Sequence, residues 1–152
     1  MIEQASFAAQ MPVRWCPLHF DPSSFLADPE LLQALEKHAS PFGCEKECVL
    51  FRQGDAPSML YILHQGAATL TMDSAEGVTL LSVPAAPGSL LGLPGLISSR
   101  PYTLTAIAKA GAQVSTIPRD KFMDLMRSDP PLSLLVLKVL AAEVRSARRA
   151  IE

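Results

Sequence analysis

Gly88-Ser89-Leu90-Leu91-Gly92-Leu93-Pro94-Gly95-Leu96-Ile97-Ser98-Ser99-Arg100-Pro101-Tyr102-Thr103-Leu104-Thr105-Ala106 is the stretch around which the chain is organised. Within a few residues its composition passes from strand to glycine-proline turn, to one helical turn, and back to strand. Pro94, bracketed by Gly92 and Gly95, suits the first position of a short helix, where its missing N–H would be unpaired in any case. A one-turn helix over Pro94–Ile97 would aim its free N–H groups at whatever lies in front of it, which is the geometry of an anion site. The same residues also suit a barrel corner that merely turns the chain. Composition leaves both readings open.

Short strands are expected on both sides. Upstream, Val49-Leu50-Phe51, Met59 to Leu63, Ala67 to Met72 and Val78 to Val83 are strand-length runs rich in β-branched and bulky residues. Gly54, Gly66, Gly77 and Gly88 punctuate them at intervals of 12, 11 and 11 residues, a spacing that predicts a meandering all-β barrel or sandwich. Gln53-Gly54-Asp55 and Glu76-Gly77 are hairpin turn signals. Downstream, Thr103 to Ala108 and Ala112 to Ile117 form a further pair, joined at Lys109-Ala110-Gly111.

Helices flank this middle. Asp28-Pro29-Glu30 opens one, with Asp28 as cap and Pro29 at the first position, and Leu31, Leu32, Leu35 and His38 give it an apolar face. Pro41 and Gly43 are expected to close it. Before it, Pro12, Pro17 and Pro22 break regular structure, and Trp15 and Phe20 are expected to pin this arm to the body. After the strands, Arg119 to Arg127 predicts a helix with Phe122, Leu125 and Met126 on one side, stopped by Ser128-Asp129-Pro130-Pro131. Pro131 then opens a longer helix running to the end. From Leu132 to Ala142 it is apolar except for Ser133 and Lys138, so it must be covered on more than one side. The seam Leu132, Leu135, Val139 and Ala142 is expected against the barrel. The other, Leu134, Leu137, Ala141, Val144 and Ile151, interrupted by Arg148, has the three-four spacing of a helix that meets a partner helix, and predicts a homodimer.

Bulk properties narrow the function classes. The 152 residues suit one domain, divided as an arm (1–27), a barrel with flanking helices (28–129) and a dimerisation helix (130–152). An apolar share of 49% and a charged share of 18% describe a compact chain with an oily interior. A net charge of −2 gives no nucleic-acid surface, and the only basic cluster is Arg145, Arg148 and Arg149. Neither a signal peptide nor a run of membrane-spanning length is present in the sequence. Three cysteines without a secretory context predict a reduced, cytoplasmic protein.

The order of these elements resembles a cyclic-nucleotide-binding domain, specifically the sensor half of Crp/Fnr-type regulators. Leu50-Phe51-Arg52-Gln53-Gly54-Asp55-Ala56 resembles that family's entry hairpin, and Leu60-Tyr61-Ile62-Leu63-His64-Gln65-Gly66 its next strand and turn glycine. Pro87-Gly88-Ser89-Leu90-Leu91-Gly92 resembles the approach to its phosphate-binding cassette, and Ile117-Pro118-Arg119-Asp120-Lys121-Phe122 the start of its penultimate helix. The resemblance spans roughly residues 28 to 152 and implies a mainly β, jelly-roll barrel of about eight strands with an N-terminal and two C-terminal helices.

The cassette departs from the family pattern where charge is needed. The family's glutamate, which holds the ribose hydroxyl, falls on Leu93, and its arginine, which pairs with the cyclic phosphate, falls on Tyr102, with Pro101 and Thr103 matching their neighbours. Arg100 lies two residues early and would substitute only in a rearranged loop. The ligand-binding set implied by the resemblance is therefore a degenerate one: Gly92, Leu93, Pro94, Gly95, Arg100, Tyr102 and Thr103. Losing one partner of a buried charged contact costs on the order of 2–5 kcal/mol, so cyclic AMP should be lost by several powers of ten, leaving at most a small anionic or nucleotide-like ligand.

Other chemistries have less support. Related regulators use haem and iron–sulfur clusters, and Cys16-Pro17 followed by His19 resembles a haem-responsive dipeptide. Cys44 and Cys48 lie four apart, but clusters usually take four thiolates. No cofactor and no metal is therefore the expectation, with a haem or thiol redox sensor as an alternative. His19, His38 and His64 are widely separated, and no triad or paired carboxylate can be argued from spacing, so the chain is not expected to be an enzyme. Met1 fits a natural start and nothing marks Glu152 as a natural end. The chain is thus read as a free-standing regulatory module, or as the sensor half of a regulator whose helix-turn-helix lies elsewhere, and no direct DNA contact is expected from these residues.

Overall fold

A computed structural model of the chain describes residues 21–151, the side chains of 147 and 149–151 excepted. A 3₁₀ turn (Pro22–Phe25) and helix α1 (Pro29–Glu36) precede strands β1 (Ser40–Gly43), β2 (Cys48–Phe51), β3 (Met59–Gln65), β4 (Ala68–Asp73), β5 (Thr79–Ala85) and β6 (Leu90–Leu91). A short helix α2 (Leu93–Ser98) leads to β7 (Thr105–Ala108) and β8 (Gln113–Pro118), and helices α3 (Arg119–Ser128) and α4 (Pro130–Ile151) follow. The eight strands form two four-stranded antiparallel sheets, in the orders β1-β8-β3-β6 and β2-β7-β4-β5. This is the mainly β, jelly-roll architecture that the family resemblance implies, and its strand orders are not the simple meander suggested by the glycine spacing.

The core lies between the sheets because alternate residues of each strand turn inward. On β5, Leu81, Val83 and Ala85 are buried while their neighbours are exposed. They meet Leu60, Ile62, Leu63, Leu70, Ala106 and Ile117, all fully buried. The turn glycines are required by close approach at one point above others. Gly66 has φ +87, and a Cβ there would lie 2.9 Å from the Cα of Ala112, so the β3–β4 turn can nest on the β7–β8 hairpin only as glycine.

Two strands went unread in the sequence. Pro41 and Gly43 do not simply close α1: with Ser40 and Phe42 they form β1, which pairs Ser40 with Thr116 and Gly43 with Gln113. A proline is tolerated there because β1 is an edge strand, where one N–H points away from the ladder. Leu90 and Leu91 pair with Ile62 and Tyr61 as β6, too short to signal itself. Asp28 caps α1 without a side-chain hydrogen bond, and the helix stops before His38, leaving Leu31 and Leu35 as its buried face.

Helix α4 carries two seams: the outward one is where it is expected, and the inward one runs through Val136 and Glu143 in place of Leu135 and Ala142. Asp129 caps it, its Oδ1 accepting the Leu132 N–H at 3.1 Å, so Pro130 rather than Pro131 opens the helix. Leu132, Val136, Val139, Glu143 and Ser146 point inward and are buried, whereas Leu135 and Ala142 are only partly so. The i, i+4, i+7, i+11 spacing keeps this row on one side as α4 lies against the 3₁₀ turn, α1 and α3. The opposite row leaves Leu134 (65%), Leu137 (51%) and Val144 (50%) exposed, with Ala141 half-buried between them. Trp15, Cys16, His19 and Phe20 lie outside the described residues, as does the side chain of Ile151.

The expectation of reduced cysteines fails at two positions. Cys44, the residue after β1, and Cys48, at the start of β2, are joined by a disulfide with their Cα atoms 6.1 Å apart. Those two strands belong to different sheets, and the tight loop Glu45-Lys46-Glu47 between them brings the sulfurs together.

Candidate functional site

The central stretch folds as a cradle for one of its own side chains. Gly92, with φ +91, ends β6 and starts α2, and Gly95 lies in the first turn of that helix. A Cβ on Gly92 would come 2.9 Å from Cε1 of Tyr102, and one on Gly95 would come 3.3 Å from its Cδ1. The phenol ring therefore lies directly on the two glycines. It stacks on Phe51 of β2, with ring centroids 4.1 Å apart and planes 24° from parallel.

Its hydroxyl is fully engaged. The backbone N–H groups of Ser58 and Met59 donate to it at 3.2 and 3.1 Å, and it donates to the carbonyl of Met59 at 2.7 Å. The Tyr102 backbone is fixed as well, donating to the Asp55 carbonyl at 2.9 Å and accepting from the Gly54 N–H at 2.8 Å. Tyr102 is only 4% exposed. Opening this arrangement means losing the stack, the hydroxyl bonds and the ring's burial, together on the order of 3–5 kcal/mol.

The other expected site residues divide sharply. Leu93 is fully buried at the start of α2, Pro94 follows it, and Gly95 lies against the ring. Arg100 and Thr103 are exposed on either side of the buried tyrosine, and Arg100 meets the cradle through its backbone, its carbonyl oxygen lying 3.1 Å from where a Cβ on Gly95 would stand. In front of the helical turn lies an aromatic ring, so the turn serves here as the corner that packs Tyr102.

One positioning residue was missed in the sequence. Arg119, at the start of α3, donates from Nε to the Leu96 carbonyl at 3.0 Å, and a second guanidinium nitrogen donates to the Ser99 hydroxyl. Ser99 ends α2 in the left-handed region, with φ 59, leaving the last carbonyls of the helix without intrahelical donors. A guanidinium meets that need with two directed donors. The signal in the sequence was a lone arginine directly after the last strand, where the chain must pass the cassette.

Phe51 links the cradle to the aromatic cluster behind it. Its ring lies 5.6 Å from that of Tyr61, whose hydroxyl donates to the Leu50 carbonyl at 2.9 Å. Burial, with smaller contributions from Tyr102 and Asp55, holds the Tyr61 phenol above its usual value. Nearby, a groove of about 440 Å³ is lined by Arg52, Gln53, Gly54, Asp73, Ser74 and Thr105. Most of its polar atoms are already committed: the Gln53 amide bonds both backbone groups of Asp73, and the Thr105 hydroxyl accepts from the Gln53 N–H.

His64 is a structural residue. Its Nε2 lies 2.8 Å from Glu36 and 2.7 Å from the Ser115 hydroxyl, which joins α1 to the first sheet. Among the described residues no group of histidine, cysteine and carboxylate side chains could hold a metal ion. Nor is any helix among them long and apolar enough to cross a membrane. On the inner side of α4, Glu143 is buried with its Oε1 unpaired, and burial pushes its carboxyl up to about 8. The hydroxyl of Ser24, in the 3₁₀ turn against which α4 packs, is likewise buried and unpaired.

Comparison with known proteins agrees with this fold. The family model described as Cyclic nucleotide-binding domain matches residues 43–129. The transcriptional activator protein Anr of Pseudomonas protegens is 28% identical over 129 residues, covering 85% of this chain and 52% of Anr. The chain thus spans about half of that relative. Among solved structures, the Thermus thermophilus catabolite activator protein superposes with a TM-score of 0.70 at 21% identity, over 84% of this chain and 60% of that one. The sensor domain of the transcriptional regulator DNR from Pseudomonas aeruginosa does so with a TM-score of 0.61 at 21% identity, over 82% and 83% respectively.

Proposed function

Because the chain belongs to the cyclic nucleotide-binding domain family, we propose that it is a regulatory module of Crp/Fnr type whose nucleotide cassette is filled by its own Tyr102. The observation that carries this reading is the ring of Tyr102 lying on Gly92 and Gly95 with every hydroxyl bond satisfied. Leu93, fully buried, adds an apolar group where a sugar hydroxyl would need an acceptor. A cyclic nucleotide would have to displace the ring and then find neither charged partner.

The module acts by binding and relaying, not by catalysis, and works in the cytoplasm as a homodimer. The exposed row Leu134, Leu137 and Val144, with Ala141, is the face we assign to the second copy, since three large apolar side chains on one helix face are costly to leave in water. No cofactor is assigned to the cassette. The residues of the haem alternative, Cys16 and His19, lie outside the described residues.

The double variant Leu93→Glu with Tyr102→Arg tests the reading. It returns the two charges, empties the ring's place, and should give a gain of cyclic AMP binding over the unaltered chain in a fluorescent-analogue titration. A variant that folds as well as the parent and still binds nothing would show that the cassette backbone, and not Tyr102 and Leu93, bars the nucleotide.

A further inference from the structure

We propose that Cys44 and Cys48 are a reversible thiol–disulfide pair, and that its state sets how firmly edge strand β2 holds Phe51 over Tyr102. The bond ties the end of β1 in one sheet to the start of β2 in the other. Both cysteines are seated on the β7–β8 hairpin. Cys48 pairs with Ala108, the Cys44 N–H donates to the Ala112 carbonyl, and Gly111 donates back to the Cys44 carbonyl at 2.7 Å.

From there the path to the cassette is short. β2 has four residues, with Cys48 at one end and Phe51, stacked on Tyr102, at the other. It is an edge strand, paired only with β7, and its register slips between Val49 and Phe51. A strand held on one side, with an irregular ladder, depends on its end anchors. The disulfide is one anchor and the Phe51–Tyr102 stack is the other.

The chemistry needs only a small-molecule thiol and its disulfide. Cys44 is 5% exposed and Cys48 is half-buried, so the Cys48 sulfur is the accessible one. A thiolate attacks it, forms a mixed disulfide and releases the Cys44 thiolate, which takes up a proton. A second thiolate attacks the small-molecule sulfur of that mixed disulfide and releases Cys48, which is protonated in turn. Two external thiols are oxidised to one disulfide, and the protein bond takes their two electrons. In a reducing compartment an intact disulfide of this kind is regulatory more often than structural.

The proposal rests on the Tyr102 reading for its output but not for its input, and the test separates them. The full chain is equilibrated in glutathione mixtures of increasing oxidation, then thiols are alkylated and mapped by peptide mass, which keeps Cys16 apart. Cys44 and Cys48 should alkylate together in reducing mixtures and be protected together in oxidising ones. Amide exchange in residues 48–61 and around Tyr102 should be roughly threefold or more faster in the reduced state. The Cys44→Ser/Cys48→Ser chain should show the fast exchange in every mixture. If both cysteines alkylate equally at all mixtures, or if exchange at β2 and Tyr102 ignores a bond that does form, the proposal is overturned.

Discussion

The ring of Tyr102 stacks on that of Phe51 with centroids 4.1 Å apart, and this pair closes the cassette from within. Both residues come from ordinary barrel elements, one from edge strand β2 and one from the segment between α2 and β7. Neither belongs to α2, yet together they determine what α2 faces.

Removing the hydroxyl alone should be measurable. Tyr102→Phe keeps the ring and the stack but leaves the N–H groups of Ser58 and Met59 without their acceptor. The expected loss is about 1–3 kcal/mol, or a melting temperature lower by roughly 3–10 °C. Tyr102→Ala should cost more, about 3–5 kcal/mol, because it also leaves a cavity against Gly92 and Gly95. Equal stability of the parent and the phenylalanine variant would mean that the hydroxyl bonds contribute nothing net.

Arg119 should act on α2 and little else. Arg119→Ala removes the donors to the Leu96 carbonyl and the Ser99 hydroxyl, worth about 1–2 kcal/mol locally. Hydrogen exchange should then speed up across residues 93–102 while the sheets hold their protection. Uniform acceleration over the whole chain would assign Arg119 a global role instead.

Glu143 makes stability depend on pH in a particular direction. In the unfolded chain its carboxyl titrates near 4.5, but burial in the folded chain holds the proton up to about 8. A raised acid favours the folded state fully below 4.5, and that contribution is lost as pH rises to about 8, after which it is constant. The total is on the order of 3–5 kcal/mol. Glu143→Gln cannot ionise, so urea unfolding should show the variant close to the parent at pH 4.5 and more stable than it at pH 9. A parent and variant with parallel pH profiles would place the Glu143 carboxylate in water.

Helix α4 should hold two copies together. Leu137→Glu puts a charge amid Leu134, Ala141 and Val144, and light scattering after size exclusion should then report a folded monomer in place of a dimer. A parent chain that is itself monomeric at about 50 µM, a concentration at which interfaces of ordinary affinity are saturated, would remove the homodimer from the account.

Much of this was legible in the sequence because glycine marks geometry directly. Gly54, Gly66, Gly77, Gly88 and Gly92 all sit at positive φ, as their spacing between apolar runs implied. That Leu93 and Tyr102 put uncharged side chains into the central stretch was legible too. What the tyrosine does there was not, because Phe51, Ser58 and Met59 reach it from 43 or more residues away. β1 was hidden by its proline and by having no buried residue. On α4 the inward row passes through Glu143 and Ser146, polar residues that an apolar pattern does not select. The Cys44–Cys48 bond depends on the course of a loop between two sheets, which spacing alone does not fix.

Titration calorimetry of the unaltered chain with cyclic AMP, and separately with cyclic GMP, tests the central claim most directly. With Tyr102 in the cradle and no charge at position 93, there should be no saturable heat up to roughly millimolar nucleotide, the range left after losing several kcal/mol. Saturable binding in the micromolar range would contradict the account, since it would require Tyr102 to leave Gly92 and Gly95 at little cost.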